Sequence, residues 1–382
     1  MKALVIGLGK SGRGAAKLLL KQGYTVYAVD RIPQKMEGVT VCLENEEIKA
    51  DLVVLSPGVP QSHPQAKGRV IGEAELAIRA LKNKMVGITG TNGKTTVTLL
   101  VTHVLNASGI RARALGNVGV SLAEYACAPD PKEILIVELS SFQLETLETV
   151  AFDVGLITNI TPDHLDRYPS FEAYRDTKLR LKDLIQEGGT FIEEGDSYLQ
   201  LTKNERYWRL IGPHAVCMAW KICRVFDVTW EDFNTALITF NKPPHRMEIV
   251  DMVEGITFIN DSKGTNIESV MYGVNQIEGS VFLIAGGQSK GDSFKKWKKP
   301  FTQKVKGIFA IGETALQIEK ELGDAIPTLR CESLRVAVDK ARNAAHTGDT
   351  VLFSPGCASF DQFRDYEERG EMFKEIIREV RK

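Results

Sequence analysis

Short runs rich in β-branched residues recur from Ala3 to Phe353, most of them closed by a glycine or polar turn and followed by helical spacing. That alternation constrains the chain more than any single residue does. Parallel strands need a long crossover connection, and a helix is the usual one. The expected fold class is therefore α/β with parallel sheets, in three blocks. In the first, residues 1–83, the pattern predicts strands near 3–6, 25–29 and 52–55 with helices near 10–22 and 73–81. In the second, residues 84–243, it predicts strands near 85–89, 134–137 and 154–158. Helices are expected near 94–108, after Ser170, and near 214–225 and 230–239. In the third, residues 244–382, strands near 256–260, 281–285, 307–311 and 350–353 alternate with helices, and a long amphipathic helix ends the chain. The boundaries fall at Lys82-Asn83-Lys84 and Asn241-Lys242-Pro243-Pro244.

Composition narrows the function classes. The chain has 382 residues, 43% hydrophobic and 25% charged, with a formal net charge of −1. A near-neutral chain carries no global field that recruits nucleic acid or an anionic membrane. The most basic run, Lys295-Lys296-Trp297-Lys298-Lys299, reads as a solvated helix face. Six cysteines without a C-x-x-C pair argue for a reducing compartment and against a zinc site. No apolar stretch is long enough to span a bilayer. A cytoplasmic protein without nucleic-acid or membrane partners is expected.

The strongest local signal is Gly87-Ile88-Thr89-Gly90-Thr91-Asn92-Gly93-Lys94-Thr95-Thr96, between an apolar strand and a helix. A glycine turn there lets backbone N–H groups face phosphate oxygens at the helix N-terminus. Lys94 is placed to reach the β- and γ-phosphates, and Thr95 to bind Mg²⁺. A strict P-loop has glycine where this chain has Ile88, so this is a variant with its glycine at Gly90. Gly90, Thr91, Asn92, Gly93, Lys94, Thr95 and Thr96 form the expected ATP-phosphate loop.

Gly7-Leu8-Gly9-Lys10-Ser11-Gly12 with Asp30 at the end of the second strand has the dinucleotide fingerprint of a Rossmann-like block. Alone it suits an NAD-dependent oxidoreductase or any ligand with a pyrophosphate and a ribose, a UDP-sugar included. The neighbouring P-loop weighs against hydride transfer, which has no use for ATP. Glu138 ends another strand beside the P-loop strand, where an acidic oxygen can reach a nucleotide metal. His164 follows the next strand, in Asn159-Ile160-Thr161-Pro162-Asp163-His164. Lys178 follows one helical segment later and is puzzling as a cation near a metal. As a carbamate it would be an anionic ligand.

Together these residues resemble the Mur ligases, cytoplasmic enzymes that add amino acids to the UDP-linked peptidoglycan precursor. Thr89 to Thr96 is similar to the family's P-loop. Glu138-Leu139-Ser140-Ser141-Phe142-Gln143-Leu144-Glu145, Asn260-Asp261-Ser262-Lys263-Gly264-Thr265-Asn266 and Ser354-Pro355-Gly356-Cys357-Ala358-Ser359-Phe360-Asp361-Gln362-Phe363 resemble the branch that adds D-glutamate. The resemblance runs over nearly the whole chain. It implies a Rossmann-like first domain, a central P-loop ATPase-like domain and a Rossmann-like C-terminal domain that takes the amino acid.

The resemblance also implies the ligands: ATP, two Mg²⁺ ions, UDP-N-acetylmuramoyl-L-alanine and D-glutamate, in a monomer. Gly9, Lys10, Ser11, Asp30, Arg31, Ser56, Pro57 and Gly58 match its uridine-nucleotide site. Asn117, Ser140 and Ser141 lie along the muramoyl-alanine path. Thr95, Glu138 and His164 match magnesium ligands, and Lys178 a carbamylated lysine. His245, Arg246, Asp261 and Lys263 match the third domain's contribution to ATP and the reacting centre. Thr265, Lys290, Ser359 and Tyr366 match positions around D-glutamate, with Tyr366 in place of a phenylalanine. Lys94, His164, Lys178 and Lys263 carry the expected catalytic roles. The implied chemistry is phosphorylation of the alanine carboxylate, then attack of the D-glutamate amine on the acyl phosphate.

Two departures stand out. The interval from Lys178 to His245 is shorter than in the family. Where the family has His-Asn-x-x-Asn beside the adenine, this chain has His214-Ala215-Val216-Cys217-Met218. They motivate one other reading, a degenerate nucleotide-binding regulator. A further alternative is a Mur-superfamily ligase that adds a different amino acid or extends a folate tail, against which the Ser359 and Asp261 motifs argue.

Overall fold

The computed structural model describes residues 1–380 except 33, 44, 45, 47, 166 and 194–210. Sixteen strands among these residues form three sheets. The first holds β1 (Lys2–Ile6), β2 (Thr25–Val29), β3 (Val39–Cys42), β4 (Leu52–Leu55) and β5 (Val70–Gly72), in the order β3-β2-β1-β4-β5. The second holds β6 (Met85–Thr89), β7 (Ala112–Gly116), β8 (Ile134–Glu138), β9 (Phe152–Ile157) and β10 (Ile185–Ile192), in the order β10-β9-β6-β8-β7. Every pairing in these two sheets is parallel.

The third sheet holds β11 (Glu248–Val253), β12 (Ile256–Asn260), β13 (Val281–Gly286), β14 (Val305–Ile311), β15 (Thr328–Arg330) and β16 (Thr350–Phe353), in the order β11-β12-β16-β13-β14-β15. Here the wholly parallel expectation needs correction. β11 runs antiparallel to β12, because Glu254-Gly255 closes a tight hairpin with both residues at positive φ. A two-residue connection cannot return a strand in parallel.

The chain divides into two compact units. One is Met1–Ile160 with Phe171–Phe240, and the other is Thr161–Ser170 with Asn241–Lys382. In the first unit the two sheets share one apolar core, in which Ala15, Leu76 and Ala77 pack with Leu122, Ala123 and Leu139. Burying each such leucine contributes roughly 1.5–3 kcal/mol. Two acidic side chains stitch the same seam. Glu73 accepts the Ala123 N–H at 2.7 Å, and Glu75 accepts the backbone N–H groups of Glu148 and Thr149 and the Thr149 hydroxyl. The Lys82-Asn83-Lys84 segment is tied down as well, since the buried Asn83 amide donates to the carbonyls of Asp130 and Glu133.

Helix Lys94–Ala107 shows how sequence becomes packing. Val97, Leu100, Val101, Val104 and Leu105 are all buried and follow helical spacing, which gives one continuous apolar stripe. Helix Pro213–Val225 belongs to the same core, and proline at its start supplies the helical φ. In the second unit Trp297 is fully buried and donates its indole N–H to the Ile267 carbonyl at 3.0 Å. Lys296 and Lys298, on either side of it, pair with Glu268 and Asp324, so the basic run is a surface helix with one apolar anchor.

Candidate active site

Parallel sheets gather their loops at the carboxyl ends of the strands, and ligands bind there at a reversal of strand order. In the first sheet that reversal lies at β1, flanked by β2 and β4. Gly7 takes φ +88°, and Ser56 at the end of β4 donates its hydroxyl to the Gly7 carbonyl at 2.8 Å. Gly12 has no room for a side chain, because a Cβ would lie 1.7 Å from the Gly7 carbonyl oxygen. Gly9 precedes helix Lys10–Lys21 and has nothing within 4 Å of a Cβ position. Lys10 and Gly58 are exposed beside it, and Ser11 and Pro57 half-buried. Asp30 has a structural role in this turn. Its carboxylate accepts the N–H groups of Leu8 and Ile32, which fixes the turn to the end of β2, and Arg31 between them is exposed.

The second sheet brings four strand ends side by side. Thr89 ends β6, Glu138 ends β8, Gly116 ends β7 with Asn117 after it, and Thr158-Asn159 follows β9. Gly90 and Gly93 take φ +140° and +86°, values that favour glycine. The loop is held from beneath. Asn159 accepts the N–H groups of Thr91 and Asn92 through its backbone and side-chain oxygens, and its amide donates to the Asn92 carbonyl at 3.0 Å. Thr158 donates to the same carbonyl at 2.7 Å. The Lys94 ammonium donates to the carbonyls of Gly90 and Thr91 at 2.9 and 2.8 Å, which curls the loop around its own lysine. Thr95 is half-buried and Thr96 buried in the first turn of the helix.

Glu138 is buried. Its Oε1 accepts the Asn117 amide at 2.7 Å, and its Oε2 has no hydrogen-bond partner among the described residues. A buried carboxylate oxygen left in this state is costly without a cation or donor. Lys178 is also buried, in helix Phe171–Leu179, with its ammonium 4.8 Å from the centre of the Tyr174 ring. Tyr174 meets the Thr91 hydroxyl at 3.1 Å, which connects that helix to the phosphate loop. Ser140 serves a local structural role. It caps helix Ser141–Leu144, accepting the Gln143 N–H at 3.2 Å while Gln143 reaches back to its backbone. Ser141 beside it is buried. His214 bonds the Thr158 carbonyl at 3.0 Å, whereas Ala215 and Met218 lie in the apolar core.

In the second unit, Asp163 and His164 come from segment Thr161–Ser170 and the rest from the C-terminal block. His164 takes φ +55°. Asp163 is buried. It accepts the Asn266 amide at 3.2 Å and pairs with Lys290 at 3.4 Å. Burial works to raise the Asp163 carboxyl, but Lys290, His164 and Asn266 outweigh it and hold it below the usual carboxylate range.

His245 is buried with φ +62° and bonds the Asn260 amide at 2.9 Å. Burial pushes its pKa down against the pull of Glu248 and Glu371, which favours the neutral ring. Asp261 accepts the Ser354 hydroxyl at 2.7 Å and the Met247 N–H at 3.2 Å, and burial pushes its pKa up to about 6. Arg246 is half-buried with its charge acting on Asp261. The Lys263 ammonium lies 3.6 Å from the centre of the Tyr366 ring. Thr265 is half-buried, and Ser359 is buried in the turn after β16.

Sequence reasoning passed over several supports of this arrangement. Arg369 is buried and donates to the Ser262, Cys357 and Ala358 carbonyls and to the Ser262 hydroxyl, tying the turns after β12 and β16 together. Asn159 and Asp163 belong to the Asn159–His164 run, in which the sequence assigns a role to His164 alone. Asn159 has the signal of a strand-end position, which Glu138 shares, whereas Asp163 lies six residues beyond β9 and has no such signal. Arg369 lies within a helix and carries no comparable local signature.

Comparison with known proteins adds to the geometry. The pattern of the Mur ligase middle domain matches residues 88–210, and that of the Mur ligase glutamate ligase domain matches residues 245–357. The chain is 40% identical to the UDP-N-acetylmuramoylalanine–D-glutamate ligase of Protochlamydia amoebophila, covering 99% of this chain and 98% of that one. It is 36% identical to the ligase of the same name from Aquifex aeolicus, over 99% and 98%. These alignments run over 433 and 416 residues against a chain of 382, so both relatives carry residues that this chain lacks. Among solved structures, the MurF ligase of Thermotoga maritima in complex with ADP is similar in fold, with a TM-score of 0.62 at 16% identity over 99% and 95% of the chains. The chain belongs to the Mur ligase family.

Proposed function

We propose that this chain is an ATP-dependent ligase that adds D-glutamate to UDP-N-acetylmuramoyl-L-alanine in peptidoglycan precursor synthesis. The observation that carries the reading is the glycine loop Gly90–Lys94 beside Glu138, in a chain similar over its whole length to ligases of that name. Residues 1–83 take the uridine nucleotide, residues 84–243 ATP, and residues 244–382 the amino acid.

The Gly7–Gly12 turn, Asp30, Arg31 and Ser56-Pro57-Gly58 hold the nucleotide diphosphate, with helix Lys10–Lys21 offering its first N–H groups. Asn117 and the Ser140-Ser141 turn guide the muramoyl-alanine arm. Lys94 trades its two loop carbonyls for the β- and γ-phosphates, where its charge opposes theirs. The alanine carboxylate attacks the γ-phosphorus, and ADP leaves. The D-glutamate amine then attacks the acyl phosphate, and the tetrahedral intermediate expels phosphate. Lys290, Thr265, Ser359 and Tyr366 hold the two carboxylates so that the amine faces the acyl carbon. His245, Arg246, Asp261 and Lys263 complete the ATP side.

The open oxygen of Glu138 suits a hard cation, with Thr95 and His164 as further oxygen and nitrogen donors. Bound Mg²⁺, two ions in this reading, supplies positive charge against the transferring phosphoryl group. Lys178 as a carbamate completes the set. An anion disfavours the face of an aromatic ring, so carbamylation would also move Lys178 off Tyr174. The protein works in the cytoplasm as a monomer. Six free cysteines support that compartment, and among the described residues no helix is long and apolar enough to cross a membrane.

The test is phosphate release with UDP-N-acetylmuramoyl-L-alanine, ATP and a panel of amino acids. D-glutamate should be the best acceptor, far above L-glutamate. A better rate with L-lysine, diaminopimelate or L-alanine would overturn the D-glutamate assignment and leave the ligase class standing. Phosphate release independent of both substrates would overturn the ligase itself.

A further inference from the structure

Lys290 is assigned above to a carboxylate of D-glutamate, yet its ammonium already faces an acid. Asp163 Oδ1 lies 3.4 Å from Lys290 Nζ, and the two side chains are only 8% and 16% exposed. A lysine this far from water needs a counter-charge, because an unpaired buried ion is strongly destabilising. The pairing is also loose, since charge-assisted N–H···O contacts close to about 2.7–2.9 Å. Asp163 has hydrogen bonds of its own beside the lysine. Its Oδ2 accepts the Asn266 amide at 3.2 Å, and its Oδ1 accepts the His164 backbone N–H at 3.0 Å.

Asp163 can therefore lose Lys290 and remain hydrogen-bonded, whereas Lys290 cannot lose Asp163 without another anion. Asp292, two residues after Lys290, adds negative charge near both: its carboxyl is raised by burial and by Asp163, against the pull of Lys290. An arriving carboxylate thus meets a lysine that is already neutralised and a neighbour of its own sign.

We propose that Asp163 is a resident counter-ion that the carboxylate of the amino-acid substrate displaces from Lys290, and that it thereby sets the D-glutamate concentration the enzyme requires. The proposal rests on the reading of Lys290 as a D-glutamate ligand. Displacement is an exchange of one carboxylate for another on the same ammonium, with no bond made or broken. Asp163 is a specificity-determining residue in this account. It keeps Lys290 satisfied when the site is empty and subtracts from the binding of the dicarboxylate it admits.

The experiment compares the steady-state kinetics of the wild type with Asp163→Asn, Asp163→Glu and Lys290→Ala. Asparagine keeps the shape and removes the competing charge; its one oxygen can accept from His164 or from Asn266, but not from both as the two carboxylate oxygens do. Asp163→Asn should lower the D-glutamate KM by about threefold or more, as expected when a like charge leaves an ion's site. The KM values for ATP and the UDP-linked substrate should hold. A merely structural defect raises KM or lowers kcat and does not tighten one substrate alone. Asp163→Glu, which restores the charge, should return the KM to the wild-type value or above, and it tests the same idea if the asparagine variant folds poorly. Lys290→Ala should raise the D-glutamate KM. If it leaves that KM unchanged, the assignment of Lys290 fails and the inference with it. If Lys290→Ala raises the KM while Asp163→Asn leaves it unchanged or raises it, the counter-ion role alone is overturned.

Discussion

Asn117 and Glu138 hold each other twice: the Asn117 backbone N–H donates to the Glu138 carbonyl at 2.9 Å, and its amide donates to Oε1 at 2.7 Å. A residue assigned to the sugar-nucleotide arm thus orients the carboxylate assigned to the metal. Asn117→Ala keeps the backbone bond and removes the amide, a hydrogen bond to a charged group worth about 1.5–3 kcal/mol. Both the UDP-substrate KM and the concentration of Mn²⁺ needed for half-maximal binding should rise, the latter read by electron paramagnetic resonance with nucleotide present. Unchanged metal affinity in a folded variant would mean that Glu138 does not need Asn117.

Lys94 bridges the carbonyls of Gly90 and Thr91. Lys94→Ala removes both a loop clamp and the expected phosphate contact. Turnover should fall by about 10²–10³ or more, the scale of losing one transition-state donor, with circular dichroism and melting temperature near wild type. Near-normal phosphate release from the folded variant would overturn the phosphate-loop assignment.

Gly9 and Gly12 look alike in the sequence and differ in space. A methyl at Gly12 would meet the Gly7 carbonyl at 1.7 Å, while Gly9 is open. Gly12→Ala should therefore destabilise the protein, by about 1–3 kcal/mol if the backbone can shift, read as a lower urea midpoint. Gly9→Ala should leave that midpoint alone and raise the UDP-substrate KM, because its methyl enters the space where a diphosphate approaches the turn. Equal effects of the two substitutions on stability would contradict this division.

Ten strands were legible before the fold was known, and they are the ten interior strands of the three sheets. The edges β3, β5, β7, β10, β11 and β15 were not. The reason is solvent. β8 and β9 are walled on both faces and read as nearly unbroken apolar runs, whereas β10 contains Gln186-Glu187-Gly188-Gly189-Thr190 with all five residues exposed. Site residues at strand ends followed the same logic, since Glu138 and Asp30 each close an apolar run. Asp163's pairing with Lys290 was illegible, because it depends on two loops 127 positions apart. The seam between the first two sheets was illegible too, as neither Glu73 nor Glu75 looks different from a surface acid in sequence.

Glu73 gives that seam a pH dependence. Burial pushes its pKa up to about 7, opposed by the Ala123 N–H and by Ser121. The folded state then holds a proton that the unfolded chain releases near pH 4–5, so Glu73's contribution to stability is lost as pH rises toward 7. At about 1.4 kcal/mol per pKa unit the difference amounts to about 3 kcal/mol. Glu73→Gln should flatten the dependence, gaining on the wild type at pH 8 and matching it near pH 5. Parallel melting curves for the two proteins across that range would show that Glu73 does not titrate in the window.

The division of the chain has a covalent consequence. The backbone passes from one unit to the other at 160–161, returns at 170–171 and passes again at 240–241. No single cut can therefore separate them. A gene split after Phe240 leaves Asp163 and His164 on the N-terminal fragment and strands Lys290 on the other, without its acid. Two such halves expressed apart would each be incomplete, and co-expression would have to reunite a ten-residue excursion with the body that claims it. A recombination library built on this family would do better to exchange Thr161–Ser170 together with Asn241–Lys382 than at any one crossover point.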